Sequence, residues 1–224
     1  MGRMSKDQWT AVDRYLTDML VPPDPVLDAV LRESAKAGLP AINVAPNQGK
    51  LLYLLALTMG AKNILEIGTL GGYSTIWLAR ALPGDGKLIT LEADAKHATV
   101  ARSNLARAEM TDRVELILGR AIDTLPKLAD DGRGPFDLIF IDADKPSVPD
   151  YFAWSLKLSR PDSIIIVDNV VRDGKVTDAA SNDASVQGVR RFMEMLSKET
   201  RVTATAMQTV GAKGYDGFAI ARVN

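Results

Sequence analysis

Apolar positions along the chain switch between two periods. Short apolar runs at 64–67 and 87–92 read as strands, and near-continuous apolar runs at 136–142 and 163–169 have the pattern of parallel strands covered on both faces. Three further extended segments fall at 113–119, 202–209 and 217–223. Between them, apolar residues return at helical spacing over 48–59, 75–82, 94–110, from Ala121 onward and over 185–198. Residues 5–38 read as two more helices parted at Pro22-Pro23-Asp24-Pro25, where Asp24 suits an N-cap and Pro25 a first turn. Gly38-Leu39-Pro40 ends the second, and 41–47 forms an extended connector. The alternation predicts a doubly wound α/β sheet whose last strand runs antiparallel, because two strands come together at the end. The chain reads as one domain, 1–224, with 1–40 a helical extension and 41–224 the core.

The first strand runs into a glycine-rich turn, Leu65-Glu66-Ile67-Gly68-Thr69-Leu70-Gly71-Gly72-Tyr73-Ser74, and then into a helix. Such a turn lets backbone approach a ligand and aims unpaired N–H groups at it. After Gly68 the next glycines stand at 71 and 72, whereas a dinucleotide fingerprint wants 70 and 73. An acid, Glu66, lies in the strand end. A carboxylate there suits the ammonium and sulfonium of S-adenosylmethionine better than a pyrophosphate.

Glu92 ends the second strand, and two roles are open to it. It can accept hydroxyls of a ribose, as acids at that place do in doubly wound folds, or it can cap the helix that starts near Asp94. Ala121 opens a helix where backbone could meet an adenine ring. His97, alone on a polar helix, reads as solvated surface.

Composition narrows the chemistry. Twenty-seven basic residues stand against twenty-eight acidic ones, a net charge of −1 without any dense basic run, so nucleic acid is not expected as a partner. No cysteine and a single histidine exclude thiolate and histidine-rich metal sites, and any metal must take oxygen ligands. No apolar run reaches the roughly 18 residues of a membrane span. Arg3, Lys6, Asp7 and Asp13 interrupt any signal core, so a cytoplasmic location is expected.

The fourth and fifth strands both end in aspartate, Asp142 and Asp168. Adjacent strand ends lie about 4.8 Å apart. The two acids and the Asn169 amide either cap local turns or converge on one hard cation, with Lys145 beside them. The polar segment 170–184 that follows, with Arg172 and Asp173, reads as a lid or substrate loop. Trp9, Val12, Leu16, Met19 and Leu20 share one face of the first helix, a packing surface against the domain or a second copy of the chain.

From about Ile42 onward these segments resemble the cation-dependent O-methyltransferases, the family of catechol and caffeoyl-CoA O-methyltransferases and small bacterial members. The resemblance is carried by Leu65-Glu66-Ile67-Gly68-Thr69, Gly72-Tyr73-Ser74, Asp142-Ala143-Asp144-Lys145, Asp168-Asn169 and Asp216-Gly217. It implies the seven-stranded class I S-adenosylmethionine-dependent methyltransferase (Rossmann-like) sheet. The cofactor would lie near Val44, Glu66, Gly68, Thr69, Ser74, Glu92, Ala121 and Asp142, and Asp142, Asp168 and Asn169 would hold Mg²⁺, or else Mn²⁺ or Ca²⁺. Lys145 would take or stabilise the proton of the attacking hydroxyl, and the protein would form a homodimer. Three features depart from the family pattern: Arg120, the run Pro146-Ser147-Val148-Pro149, and Arg172, which stands where an aromatic residue often lines the acceptor pocket. Arg172 and Asp173 would favour an acidic or polar acceptor.

The expected reaction is methyl transfer from S-adenosylmethionine to a phenolic or catechol-like hydroxyl, held and acidified by the cation. Lys145 must shed its charge to act as a base, which Mg²⁺ favours and the neighbouring Asp144 opposes. Two other readings are a methyltransferase-like binding or assembly module without turnover and a nicotinamide oxidoreductase. The glycine spacing speaks against the second.

Overall fold

The computed structural model describes residues 6–224. Seven strands form one sheet: β1 (Asn63–Ile67), β2 (Lys87–Glu92), β3 (Val114–Leu118), β4 (Phe136–Ile141), β5 (Ser159–Asp168), β6 (Val202–Gly211) and β7 (Gly214–Val223). Their spatial order is β3-β2-β1-β4-β5-β7-β6. The chain starts mid-sheet, winds out to β3, crosses back past β1 to β4 and β5, and closes with a hairpin. The five strands from β3 to β5 pair in parallel, and β7 inserts antiparallel between β5 and β6, as the alternation predicted. This is the doubly wound class I methyltransferase sheet, and its direction reverses between β1 and β4, where such sheets open a crevice.

Eight α-helices cover the sheet among the described residues: α1 (Lys6–Leu20), α2 (Pro25–Lys36), α3 (Pro46–Thr58), α4 (Tyr73–Ala81), α5 (Ala95–Arg107), α6 (Ala121–Asp130), α7 (Val148–Lys157) and α8 (Ala184–Lys198). Strand alternation splits the core between two faces. Leu65 and Ile67 of β1 turn toward Leu125 of α6, Phe152 of α7 and Phe192 of α8. Ile64 turns the other way, toward Leu27 and Val30 of α2, Leu52 of α3, Ile76 of α4 and Leu105 of α5. β4 is buried along its whole length, which is why its sequence is an unbroken apolar run apart from Asp137.

Helix starts follow their caps. Asp24 Oδ1 accepts the N–H groups of Val26 and Leu27 at the head of α2, with Pro25 in the first turn. Asp94 does the same for Lys96 and His97 at α5, and Asp183 for Ser185 and Val186 at α8. α1 buries no residue; Val12, Tyr15, Leu16, Met19 and Leu20 stand exposed, and Trp9 is half-buried. Asp13 anchors this helix, accepting from Asn47 Nδ2 at 2.8 Å and from the Ala212 N–H at 2.9 Å.

The terminal hairpin is longer than the pattern suggested. Residues 203–210 of β6 are all exposed, so no burial alternation marked the strand, and its backbone pairing with β7 defines it instead. No helix among the described residues is long and apolar enough to cross a membrane.

Candidate active site

A cavity of about 930 Å³ opens over the carboxyl ends of β1, β2, β4 and β5. One part of its wall is the turn after β1. Gly68 adopts φ +103, and a Cβ there would lie 2.1 Å from the Asp142 carbonyl oxygen, so only glycine lets β1 turn tightly against the end of β4. Gly72, at φ 85, then starts α4. Val44, Gly68, Thr69, Ser74, Glu92 and Ala121 all line this part of the cavity.

Glu66 does not line it. Its carboxylate is fully buried one position before the turn of β1, and accepts from Ser74 Oγ at 2.7 Å, Thr75 Oγ1 at 2.5 Å and Thr90 Oγ1 at 2.7 Å. Thr90 lies opposite it on β2 and exchanges a hydrogen bond with Thr69. Direct contact with a cationic ligand group, expected from the sequence, is therefore corrected: Glu66 meets the cavity through Ser74 and, by way of Thr90, through Thr69. Burial raises its pKa to about 7, against the lowering effect of the three hydroxyls.

Of the two roles open to Glu92, the structure shows a form of the capping one. Oε2 accepts the N–H groups of Thr69 and Leu70, and Oε1 that of Asp94, so three of a carboxylate's roughly four acceptor sites hold the glycine turn and the approach to α5. Glu92 itself lines the cavity. His97 is not free surface: it lines the same wall, with Nδ1 3.6 Å from Glu92 Oε1.

At the other end, Ile141 of β4 pairs with Val167 of β5, which brings the next residues, Asp142 and Asp168, side by side. Asp142 Oδ1 accepts from Lys145 Nζ at 2.8 Å, and Oδ2 has no hydrogen-bond partner among the described residues. The acid that meets Lys145 is thus Asp142. Asp144, expected to oppose the lysine, instead accepts from Tyr151 Oη and Ser147 Oγ. Asp168 is buried and accepts the Asn169 N–H and a hydrogen bond from the Gln48 side chain at the start of α3. Burial, and then repulsion from Asp142, push its pKa upward, with Lys145 offsetting part. Asn169 takes φ 57 and lines the cavity. Among the described residues no three His, Cys, Asp or Glu side chains cluster for a metal, so a cation here would rest on two carboxylates and the Asn169 amide.

Lys145 is held by packing as well as by its ion pair. α8 passes directly over it at Gly188, where a Cβ would lie 2.2 Å from the Lys145 carbonyl oxygen and 2.7 Å from Pro146 Cα.

The loop after Asn169 is tied down at its start. Val170 and Val171 are buried, and Asp216 Oδ1 accepts the N–H groups of Val171, Arg172 and Gly217. Arg172 lines the cavity; Asp173 is exposed and off its wall, its N–H donated to the Tyr215 carbonyl. Of the two substrate positions expected from the loop, only Arg172 faces the site.

Residues 19–222 match the sequence profile of the O-methyltransferase family. The chain belongs to the O-methyltransferase family. It is 56% identical over 220 residues, 98% of this chain and all of the relative, to a catechol O-methyltransferase of Niastella koreensis. An O-methyltransferase from Bacillus cereus, solved in complex with SAH, superposes with a TM-score of 0.97 at 58% identity, covering 98% of this chain and 100% of that one. Another from Streptomyces achromogenes, involved in tomaymycin synthesis and solved with SAM, gives 0.95 at 52% identity over 99% and 100%.

Sequence reasoning missed several residues of this O-methyltransferase site. Gln48 reaches Asp168 from a helix over a hundred positions earlier, and Thr90 reaches Glu66 across a strand pair. Lys213, on the β6–β7 turn, lines the cavity from the far end of the chain. No local period marks any of these. For His97 the spacing from the Asp94 cap was a usable signal, since it places the ring one turn into α5, beside Glu92.

Proposed function

We propose that the chain transfers a methyl group from S-adenosylmethionine to one hydroxyl of a vicinal pair on an aromatic ring, with a divalent cation bound by Asp142, Asp168 and Asn169. The observation that carries this reading is the in-register pairing of β4 with β5, which sets the buried Asp168 carboxylate beside Asp142, while Asp142, Lys145 and Asn169 line the cavity. The donor set suits the cation: burial and repulsion from Asp142 raise the cost of ionising Asp168, one oxygen of Asp142 has no hydrogen-bond partner among the described residues, and all the donors are hard oxygens. The wall from Val44 through the glycine turn to Glu92 and Ala121 suits the methyl donor, with one carboxylate acceptor site of Glu92 left for a hydroxyl.

A bound divalent cation supplies acidification of the acceptor hydroxyls and fixes their orientation. The chain does the rest. Lys145 Nζ, held by Asp142, accepts the hydroxyl proton or donates to the oxyanion that remains. The oxygen–methyl bond then forms as the methyl–sulfur bond breaks, the sulfonium becoming a neutral thioether. The protein's part in this step is alignment, supplied by the glycine turn on one side and the strand ends on the other.

Purified protein with labelled S-adenosylmethionine, Mg²⁺ and catechol tests the reading. Methylation should vanish with excess EDTA and return with Mg²⁺ or Mn²⁺. Asp168→Ala should lose turnover while SAH binding, read by calorimetry, stays. Full activity in excess EDTA would refute the cation assignment.

The assembly proposed is a homodimer built on α1, whose exposed Val12, Leu16, Met19 and Leu20 form one apolar stripe on a helix that buries nothing in its own chain. Light scattering decides it. A monomer at tens of micromolar, or a dimer indifferent to Leu16→Glu with Met19→Glu, would overturn the interface.

A further inference from the structure

The cavity wall carries an imbalance of partners. Its acids are each engaged: Glu92 by backbone N–H groups, Asp142 by Lys145, Asp144 by Tyr151 and Ser147. Two of its cations, Arg172 and Lys213, have no carboxylate partner among the described residues. Among the described residues Arg172 makes no side-chain hydrogen bond or ion pair, and its Nε is buried without a partner. A buried guanidinium N–H with nothing to donate to is costly and is usually the mark of a group awaiting an acceptor. Of the acids, Asp183 feels the charge of Arg172, but it is an exposed N-cap already accepting the Ser185 and Val186 N–H groups.

Lys213 is the second such cation. Its Nζ donates to the Ala41 carbonyl, and no carboxylate neutralises it; partial loss of water around the ammonium lowers its pKa. The two cations approach from touching elements, because the hairpin that carries Lys213 also accepts the Asp173 N–H at Tyr215 and holds the Arg172 N–H at Asp216. Arg172 follows Asn169 by three residues, and Lys213 is bonded to Ala41, which lines the cavity next to Ile42. That stretch presents Ile42, an exposed apolar side chain against which an aromatic ring can pack.

We propose that the acceptor is an aromatic acid, and that Arg172 and Lys213 together receive its carboxylate while its hydroxyls lie at Lys145 and Asn169. The inference rests on the methyl-transfer reading above and names the substrate class of that site. The planar guanidinium offers two parallel donors that match a carboxylate, and the ammonium adds a point charge from the other side. A carboxylate could also come from the methionine portion of the cofactor, and the two sources are separable by experiment.

The test compares 3,4-dihydroxybenzoate with its methyl ester, the same ring without the charge. Calorimetry on the protein with SAH and Mg²⁺ should give tighter binding of the acid by about 10- to 100-fold, the range for charge-assisted hydrogen bonds, and kcat/KM should show the same preference. Arg172→Gln and, independently, the surface variant Lys213→Gln should each shrink the acid-to-ester ratio toward one. SAH affinity should be unmoved by either. Equal binding of acid and ester by the unaltered protein, or variants that weaken both alike, would overturn the proposal. Loss of SAH affinity in Arg172→Gln would overturn it too, by assigning the anion to the cofactor. If acid and ester both bind yet neither they nor catechol is methylated, the methyl-transfer reading fails while the binding ratio still decides the role of Arg172 and Lys213.

Discussion

Replacing Glu66 by glutamine should change how the stability of this protein depends on pH. The carboxyl group is fully buried beneath the glycine turn, and its pKa is raised from 4.5 to about 7. A group held above its unfolded value binds a proton in the folded chain that the unfolded chain has already released. Stability therefore falls as pH rises from about 4.5 to about 7 and stays lowered above that. At roughly 1.4 kcal/mol per pH unit, that rise of about 2.5 amounts to some 3 kcal/mol. Glutamine keeps the shape and one acceptor oxygen, stays neutral throughout, and offers an N–H₂ that the hydroxyls of Ser74, Thr75 or Thr90 can accept by turning. Urea unfolding of both proteins, in EDTA and without cofactor, isolates the effect because every other titrating group is shared. The variant should gain on the parent by ~3 kcal/mol between about pH 5 and about pH 8. A difference that stays flat across that range would refute the argument, since the buried carboxyl would then titrate alike in both states.

Two further outcomes follow from the packing of the site. Gly188→Ala places a methyl group 2.2 Å from the Lys145 carbonyl, so the backbone under the lysine must move; turnover on catechol should drop on the order of 100-fold while SAH affinity, read by calorimetry, is kept. Loss of SAH binding along with turnover would mean the helix, not the lysine, had been disturbed. Glu92→Ala removes the acceptor of three backbone N–H groups, and should cost roughly 2 kcal/mol of stability in addition to weakening SAH binding, measured by thermal unfolding without and with SAH. Unchanged stability would restrict Glu92 to the ligand.

The pattern of residues determined the fold class and much of the site by itself. β4 and the second half of β5 announced themselves because strand segments buried on both faces are apolar, and an aspartate that follows such a run stands at the carboxyl end of the sheet. Asp24, Asp94 and Pro25 marked helix starts because a cap satisfies N–H groups two and three residues away, a purely local requirement. The glycine at 68 was equally legible, though its reason was not. Only the tertiary structure brings the Asp142 carbonyl to where a side chain at 68 would be.

What the tertiary structure decided were the partners. Glu66 and Thr90, Gln48 and Asp168, Lys145 and Asp142 meet, and Arg172 and Lys213 come to one cavity, because of strand register, helix packing and a hairpin's reach. Those distances are set by the whole sheet, and no period along the chain encodes them. Glu66 shows the consequence most clearly. Its position in the sequence pointed to the ligand, but Thr90 opposite it on β2, with Ser74 and Thr75 at the head of α4, encloses the carboxylate and turns it into a support for the turn. A carboxylate's role depends on which donors reach it first, and in a folded chain that is decided by neighbours in space.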